Sequence, residues 1–260
     1  MSAASPVNPM ATPTRMAPWS LAHPLWLCPF RPFFTLALIA GWALMGLWGG
    51  FLLLGWPLPA VPGGPFVWHA HELLLGFALA GAAGFVLTAV PEFTRTPPFG
   101  ARPVRVLVGL WLLARLGFWF SGWWPMAGLA VAALAQLGLI GGLMALMAPR
   151  LLRDPERRHV AFLWALAVLA VVAAGFYVDA LRGAAPTRWL HALVGVWMGL
   201  IVIAMSRISM SIVNAGIDAQ VAADGQAREP YLARPPRRNL ALLAIGLFTL
   251  AEFVQPGGPV

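Results

Sequence analysis

Long apolar segments, separated by short stretches that hold most of the charge, recur along the whole chain. Five segments exceed the roughly 18 to 20 residues that a helix needs to cross a hydrocarbon core, and two are shorter. No segment has the alternating apolar and polar positions of barrel strands, so all are predicted to be helices. The seven predicted spans are residues 33–54, 66–90, 104–120, 123–147, 159–180, 188–210 and 240–254.

Composition points to the same class of protein. Sixty per cent of the residues are hydrophobic and 10% are charged, whereas soluble domains carry about 25% charged residues. We therefore predict an all-α fold, a polytopic membrane bundle of about seven transmembrane helices over residues 33–260. Residues 1–32 are expected to form an N-terminal segment. They contain no apolar core followed by a small-residue cleavage site, so no cleavable signal peptide is expected.

The position of the positive charge indicates the orientation. The net charge of +8 comes from 17 arginines without any lysine. Most arginines flank one set of alternate connections, which places the N-terminus in the cytoplasm by the positive-inside rule. This account explains the charge better than nucleic-acid binding does. The residues concerned are Arg95, Arg102, Arg105, Arg150, Arg153, Arg157, Arg158, Arg228, Arg234, Arg237 and Arg238.

With this orientation, the ionisable groups of several spans fall in the outer leaflet. WHAHE, at residues 68–72, opens the second span with two histidines and a carboxylate. Ionisable groups at membrane depth are costly and usually face a bundle interior or a cavity, where they do chemistry. The groups predicted at a similar depth are His69, His71, Glu72, Arg115, Asp179, His191 and Glu252.

Helical geometry separates the roles within WHAHE. His69 and His71 lie roughly 200° apart around a helix and cannot both enter one narrow pocket. Glu72 shares a face with His69. One arrangement has His71 facing a partner while His69 is held by Glu72 or faces a second metal. A carboxylate beside a ligating histidine fixes its tautomer, and imidazole is a common ligand of haem iron and copper.

The neighbouring candidates have two interpretations each. Arg115 is expected to contact a haem propionate or a carboxylate, the alternative being a side chain that extends to the interface. His191 is either a cofactor ligand or a hydrated residue at a helix end.

Pro91 is expected to end the second span. The single cysteine, Cys28, excludes an intrachain disulfide and a cysteine-based zinc cage.

Three sequence stretches resemble the NnrS family. They are FRPFF at 30–34, WHAHE at 68–72 and AGFVLTAVP at 83–91, and MSRISM at 205–210 is similar to a later segment with lower specificity. The resemblance implies a multi-pass protein of the bacterial inner membrane that binds haem, with copper as a second candidate cofactor. It also implies a link to nitric oxide metabolism and nitrosative stress, and metal ligation by His69 and His71.

The chain also departs from the family pattern. EFTR at 92–95 stands where the family usually has a run similar to Asn-Trp-Thr-Gly. Family members usually have further spans after the seventh, so residues 33–260 are expected to be either the N-terminal part of a longer bundle or a short relative. In both cases the ligands that later spans supply in the family would be missing from these residues.

The resemblance therefore implies a membrane protein, embedded in lipid and served by an unknown redox partner, that binds haem, with copper as a second candidate cofactor and nitric oxide as a candidate ligand. It leaves open whether the protein turns over nitric oxide or only binds it. One alternative is a transporter or channel in which His69, Glu72, Asp179 and Glu252 form a proton relay. A second alternative is a structural or assembly subunit of a respiratory complex.

Overall fold

The computed structural model describes residues 23–153, 159–231 and 235–255, together with Ala17 and Ser20. Most of the N-terminal segment, and Arg157, Arg158 and Arg234 of the charge pattern, lie outside these residues. Within the described ranges every regular element is a helix, which confirms the predicted all-α class.

Eight α-helices and one π-helical segment follow one another along the described chain. They are α1 (Phe30–Leu54), α2 (Gly64–His71), the π-helix (Glu72–Phe77), α3 (Ala78–Thr94), α4 (Ala101–Phe120), α5 (Pro125–Arg153), α6 (Ala161–Leu181), α7 (Thr187–Asp224) and α8 (Pro235–Val254).

Within the described ranges, six helical stretches are long and apolar enough to cross a membrane, so the polytopic bundle is confirmed. One of them is the continuous stretch Gly64–Thr94, which comprises α2, the π-helix and α3. The others are α1, α4, α5, α6 and α7. Large apolar side chains face outward from the bundle, and Trp42 and Leu53 are each 84% exposed. Such a surface is stable in lipid and unfavourable in water.

The seventh predicted span differs from the other six. It is helical, as α8, but it does not belong to the set that length and composition mark as membrane-spanning. The helix begins well before the apolar run and includes Arg237 and Arg238, and Glu252 lies near its other end. α8 packs against α7 along the side of the bundle.

The second predicted span changes its helix type where the sequence suggested a regular α-helix. From Glu72 to Phe77 the backbone is π-helical, and the Ala78 N–H bonds to the carbonyl of Leu73, five residues earlier. Such widened turns are rare and occur frequently at functional sites. At the other end, Pro91 lies inside α3, which continues to Thr94 and ends at Arg95 in the left-handed conformation (φ 51°). The prediction that Pro91 ends this span was therefore wrong.

Consecutive helices from α4 to α8 pack side by side. The backbones of α4 and α5 approach each other closely, since a Cβ at Gly117 would lie 2.7 Å from the backbone nitrogen of Ala132. The connections α3–α4, α5–α6 and α7–α8 lie at one end, here called the basic end because its flanking residues include most of the arginines. The α2 end of the second span lies at the opposite end. α7, with 38 residues, is about 57 Å long and extends beyond a membrane of ordinary thickness.

Candidate functional site

Five polar side chains from separate parts of the chain meet inside the bundle, towards the end opposite to the basic end. His71 closes α2 and Glu72 opens the π-helix, while Arg115, Gln136 and Tyr177 come from α4, α5 and α6. All five are buried, and His71 and Gln136 are fully inaccessible to solvent. We call these five residues the buried polar cluster.

A chain of hydrogen bonds joins the whole cluster. His71 Nε2 lies 2.9 Å from the Tyr177 hydroxyl, and His71 Nδ1 lies 3.1 Å from Glu72 Oε1. Arg115 donates from Nη1 to the same carboxylate oxygen over 2.9 Å and from Nη2 to Gln136 Oε1. One carboxylate and one guanidinium are thus paired within a network that also satisfies the imidazole.

The network determines which nitrogen of His71 carries the proton. A carboxylate paired with a guanidinium can only accept hydrogen bonds. His71 Nδ1 must then donate to Glu72. In the neutral ring Nε2 is left without a proton and accepts from the Tyr177 hydroxyl. Glu72 therefore fixes one tautomer and directs the lone pair of Nε2 towards α6.

Aromatic rings keep water away from this imidazole. The ring of Phe118 stacks on His71 with a centroid separation of 3.6 Å, and Phe176 lies 5.0 Å away on centroids. The edge of Tyr177 completes the enclosure. Because the surroundings are apolar, every polar group of the cluster depends on its partners rather than on solvent.

The π-helix and Gly76 make room for the ion pair. A Cβ at Gly76 would lie 3.0 Å from Arg115 Nη1 and 3.3 Å from Glu72 Oε2. The carbonyl of Gly76 accepts a hydrogen bond of 2.9 Å from Trp111 Nε1 on α4. The missing side chain at residue 76 therefore lets the guanidinium reach the carboxylate, and Trp111 ties the widened turn to α4.

Some buried donors near the cluster have no partner among the described residues. They are Arg115 Nε, Gln136 Nε2 and Trp68 Nε1. All three are N–H groups, so the local imbalance is an excess of donors over acceptors. A small molecule with acceptor atoms, or water, could satisfy them.

His69 occupies a different environment from His71. Its ring stacks on Trp48 of α1 with a centroid separation of 4.1 Å, and its buried Nδ1 has no partner among the described residues. The two histidines thus face different neighbours, in the way that their helical angle indicated. Glu72, however, contacts His71 rather than His69. Its Oε1 atom binds both the His71 ring and the Arg115 guanidinium.

The remaining predicted residues do not join the cluster. His191 is exposed near the start of α7. Asp179 accepts from Arg188 at 2.9 Å and from Trp189 at 2.7 Å, which forms a second polar group at the connection between α6 and α7. Glu252 is half-buried on α8. Arg115 takes a carboxylate partner, one of its two predicted interpretations.

Sequence reasoning did not select Gln136, Tyr177 or Trp111. Gln136 is a lone amide in an apolar helix, and Tyr177 is one of only two tyrosines in the chain. Either observation could have marked the residue as a candidate, because a buried hydroxyl or amide requires a partner. The partners themselves could not be read from spacing. Gln136 lies 21 residues from Arg115 in the sequence, and Tyr177 lies 106 residues from His71.

The donor set has a clear limit as a metal centre. Among the described residues, no three His, Cys, Asp or Glu side chains come close enough to hold a metal ion together. A closed metal cage made from these side chains alone is therefore not formed here. A cofactor that supplies most of its own ligands needs only one or two protein atoms, as haem does.

Comparison with known protein families identifies residues 24–260 with the family described as NnrS protein. No curated protein and no solved structure matches the chain. The family match covers nearly the whole chain, so this chain belongs to the NnrS family, and at the level of the family it is a membrane protein linked to nitric oxide.

Proposed function

We propose that this member of the NnrS family binds haem, with copper as a second candidate, and acts on or responds to nitric oxide in the bacterial inner membrane. The observation that carries the proposal is the arrangement around His71. Its Nδ1 is held by a carboxylate, and its unprotonated Nε2 points away from that carboxylate towards the Tyr177 hydroxyl, which a bound metal would displace. A ligating histidine commonly has this carboxylate behind it.

In this proposal the cofactor takes only one or two ligands from the protein. His71 Nε2 would be the first ligand, and the hydroxyl of Tyr177 would have to give up its hydrogen bond or become a second ligand, since phenolate also binds haem iron. His69 offers a second imidazole whose Nδ1 lacks a partner. When bound, haem iron or copper would supply the direct binding of nitric oxide.

The protein groups have separate tasks in this proposal. Glu72 orients the imidazole and raises its basicity. Arg115 compensates the charge of Glu72, and Gln136 holds the guanidinium. The rings of Phe118 and Phe176 exclude water from the site. Nitric oxide is small and apolar, so it can reach a buried site through the lipid.

The proposed site lies near the periplasmic face. The cluster is towards the end opposite to the basic end, and positive residues favour the cytoplasmic side. His191, exposed at the same end, remains a proposed additional ligand. Arg115 is proposed to act through Glu72 rather than by direct contact with a haem propionate, because both of its terminal nitrogens already have partners.

The test is to purify the full chain in detergent after expression with adequate haem supply, then record its visible spectrum and its iron and copper content. We expect a Soret band that shifts when nitric oxide is added. His71→Ala should empty the site, and Glu72→Gln should weaken cofactor binding roughly 10- to 100-fold. His23→Ala, outside the spans, is the control and should match the unaltered protein.

The variant Tyr177→Phe tests whether His71 or Tyr177 is the cofactor ligand. This change removes the hydroxyl that occupies His71 Nε2 and leaves the aromatic ring, so cofactor content should be kept or increased. Loss of the cofactor in Tyr177→Phe but not in His71→Ala would transfer the ligand role to Tyr177. Unaltered spectra in both His69→Ala and His71→Ala, or a protein without haem, iron and copper, would refute the proposal.

The same preparation distinguishes the alternatives. A colourless protein that gives pH-dependent flux in liposomes would favour a transporter. The relay suggested by the sequence is weakened by the geometry, because Asp179 is bonded to Arg188 and Trp189 while Glu72 belongs to the buried polar cluster. Copurification with oxidase or reductase subunits that account for all the colour would favour an assembly role.

A further inference from the structure

A polar pocket of about 670 Å³ lies between α7 and the first turns of α8, at the basic end. Its polar lining consists of Ser206, Ser209, Tyr231, Arg237 and Arg238. The described lining contains two guanidinium groups and no carboxylate. The pocket is therefore positively charged and suited to an anion.

The hydroxyl groups of the pocket suit an anion with several oxygen atoms. Ser206 Oγ is buried and has no hydrogen-bond partner among the described residues. Guanidinium and hydroxyl groups together are the common donors to phosphate oxygens. A phosphate group with its oxygens directed at Arg237, Arg238 and Ser206 would satisfy this donor set.

The wall of the pocket is tied to α7. The amide of Asn214 donates to the Tyr231 carbonyl over 3.2 Å and accepts from the Tyr231 N–H over 2.7 Å. These two bonds hold Tyr231 against α7. Arg238 is oriented by Asn239, whose Oδ1 accepts from Arg238 Nε and Nη2 at 3.2 and 3.0 Å.

An apolar groove follows the polar pocket towards the membrane. It has a volume of about 610 Å³ between α6, α7 and α8, and its lining includes Trp164, Gly199, Ile203, Leu242 and Gly246. The groove and the pocket adjoin along the same two helices. Ile203 lies three residues before Ser206 on α7, and Leu242 lies four residues after Arg238 on α8, about one helical turn in each case.

We propose that the polar pocket and the groove together bind one anionic phospholipid. The phosphodiester headgroup lies against Arg237, Arg238 and Ser206, and an acyl chain lies in the groove. A zwitterionic lipid carries a positive group beside its phosphate and so adds no net negative charge to the two arginines, and a soluble anion would leave the groove unfilled. Basic pockets between helices on the cytoplasmic side are suited to such headgroups.

The first test compares lipid retention in bilayer discs. The full chain is reconstituted in phosphatidylcholine with a minor fraction of phosphatidylglycerol, extracted in neutral detergent, and examined for retained lipid by native mass spectrometry. We expect preferential retention of phosphatidylglycerol. The double variant Arg237→Gln with Arg238→Gln should lower the affinity for phosphatidylglycerol roughly 25-fold, at about fivefold for each arginine.

The matched control removes the same charge from the same end of the bundle. Arg102→Gln with Arg153→Gln alters two exposed arginines on α4 and α5, and should retain phosphatidylglycerol like the unaltered chain. The single change Arg237→Gln, at an exposed residue, serves if the double variant does not fold. Equal losses in the pocket and control variants would reduce the effect to general charge and overturn the proposal.

The second test fills the groove. No atom lies within 4 Å of a Cβ placed at Gly246, so Gly246→Leu adds a side chain to the groove without a backbone clash. It should reduce lipid retention, while Gly216→Leu, at an exposed and equally open position on α7, should not. Unchanged retention in Gly246→Leu would overturn the placement of the acyl chain.

Two further outcomes would replace the phospholipid by another ligand. Displacement of phosphatidylglycerol by inorganic phosphate at a similar concentration would indicate a phosphate site without a role for the groove. Equal retention of phosphatidylcholine and phosphatidylglycerol would indicate a neutral lipid. Either result would overturn the proposal.

Discussion

Among the described residues, two carboxylate–guanidinium pairs have the same length but very different surroundings. Glu72–Arg115 and Asp179–Arg188 both have a nitrogen–oxygen distance of 2.9 Å. The first pair is inside the bundle, with side chains 2% and 9% exposed, whereas Arg188 in the second is 48% exposed. The comparison indicates that burial, rather than the contact distance, decides how much stability is lost when one partner of the pair is removed.

The physical reason lies in what happens when one partner is lost. Glu72 is surrounded by helices and aromatic rings. If Arg115 were removed, no solvent would reach the carboxylate to compensate its charge. Arg188 already contacts solvent, and Asp179 would keep the hydrogen bond from Trp189. We expect mutations to separate the two pairs clearly.

The largest effect is expected from Arg115→Leu. This change leaves Glu72 buried without its compensating charge and should lower the free energy of unfolding by about 3 to 5 kcal/mol. The measurement is denaturant unfolding of the detergent-solubilised protein. Adding Glu72→Gln removes the stranded charge, so the double variant should lose less than the sum of the single changes. Additive losses would mean that the pair is not coupled.

A smaller effect is expected from Gly76→Ala. The new Cβ would lie 3.0 Å from Arg115 Nη1, so the guanidinium must move away from Glu72, at a cost of about 1 to 3 kcal/mol for overpacking. Gly81→Ala is the matched control in the same span, because nothing lies within 4 Å of its Cβ. That control should be neutral or stabilising, by up to about 1 kcal/mol from helix propensity. Equal stability of both variants would contradict the role given to Gly76.

The smallest effect is expected from Arg188→Gln. The exposed guanidinium is replaced by a neutral group, and Asp179 keeps Trp189 and access to solvent. The shift in the thermal unfolding midpoint should be smaller than that of either Arg115→Leu or Gly76→Ala. The visible spectrum of the purified protein should be unchanged, because Asp179 bonds to Arg188 and Trp189 rather than to the buried polar cluster. A loss of stability as large as that of Arg115→Leu would remove the distinction between the two pairs.

Much of the fold could be predicted from local composition. Apolar length placed six spans correctly, because a helix in lipid must satisfy its own backbone hydrogen bonds and needs a fixed number of residues to cross. The limits of the method appear at α8, whose first turns are charged, and at Pro91, where the helix continues to Thr94.

Less of the site could be predicted. The sequence marked WHAHE and Arg115 because charges at membrane depth are expensive. It paired Glu72 with His69 by regular helical spacing, whereas the backbone becomes π-helical at Glu72 and the carboxylate contacts His71 and Arg115. A local change of helix type is stabilised by contacts such as Trp111 to the Gly76 carbonyl, which spacing does not reveal.

The sequence by itself determined the all-helical membrane bundle, the polarity of its two ends and the residues worth attention, since these follow from hydrophobicity and charge along the chain. Only the tertiary structure decided that His71 is the histidine of the buried polar cluster, that Tyr177 and Gln136 belong to it and that Asp179 does not. Those outcomes depend on which helix faces which, and distant residues become neighbours only when the helices pack.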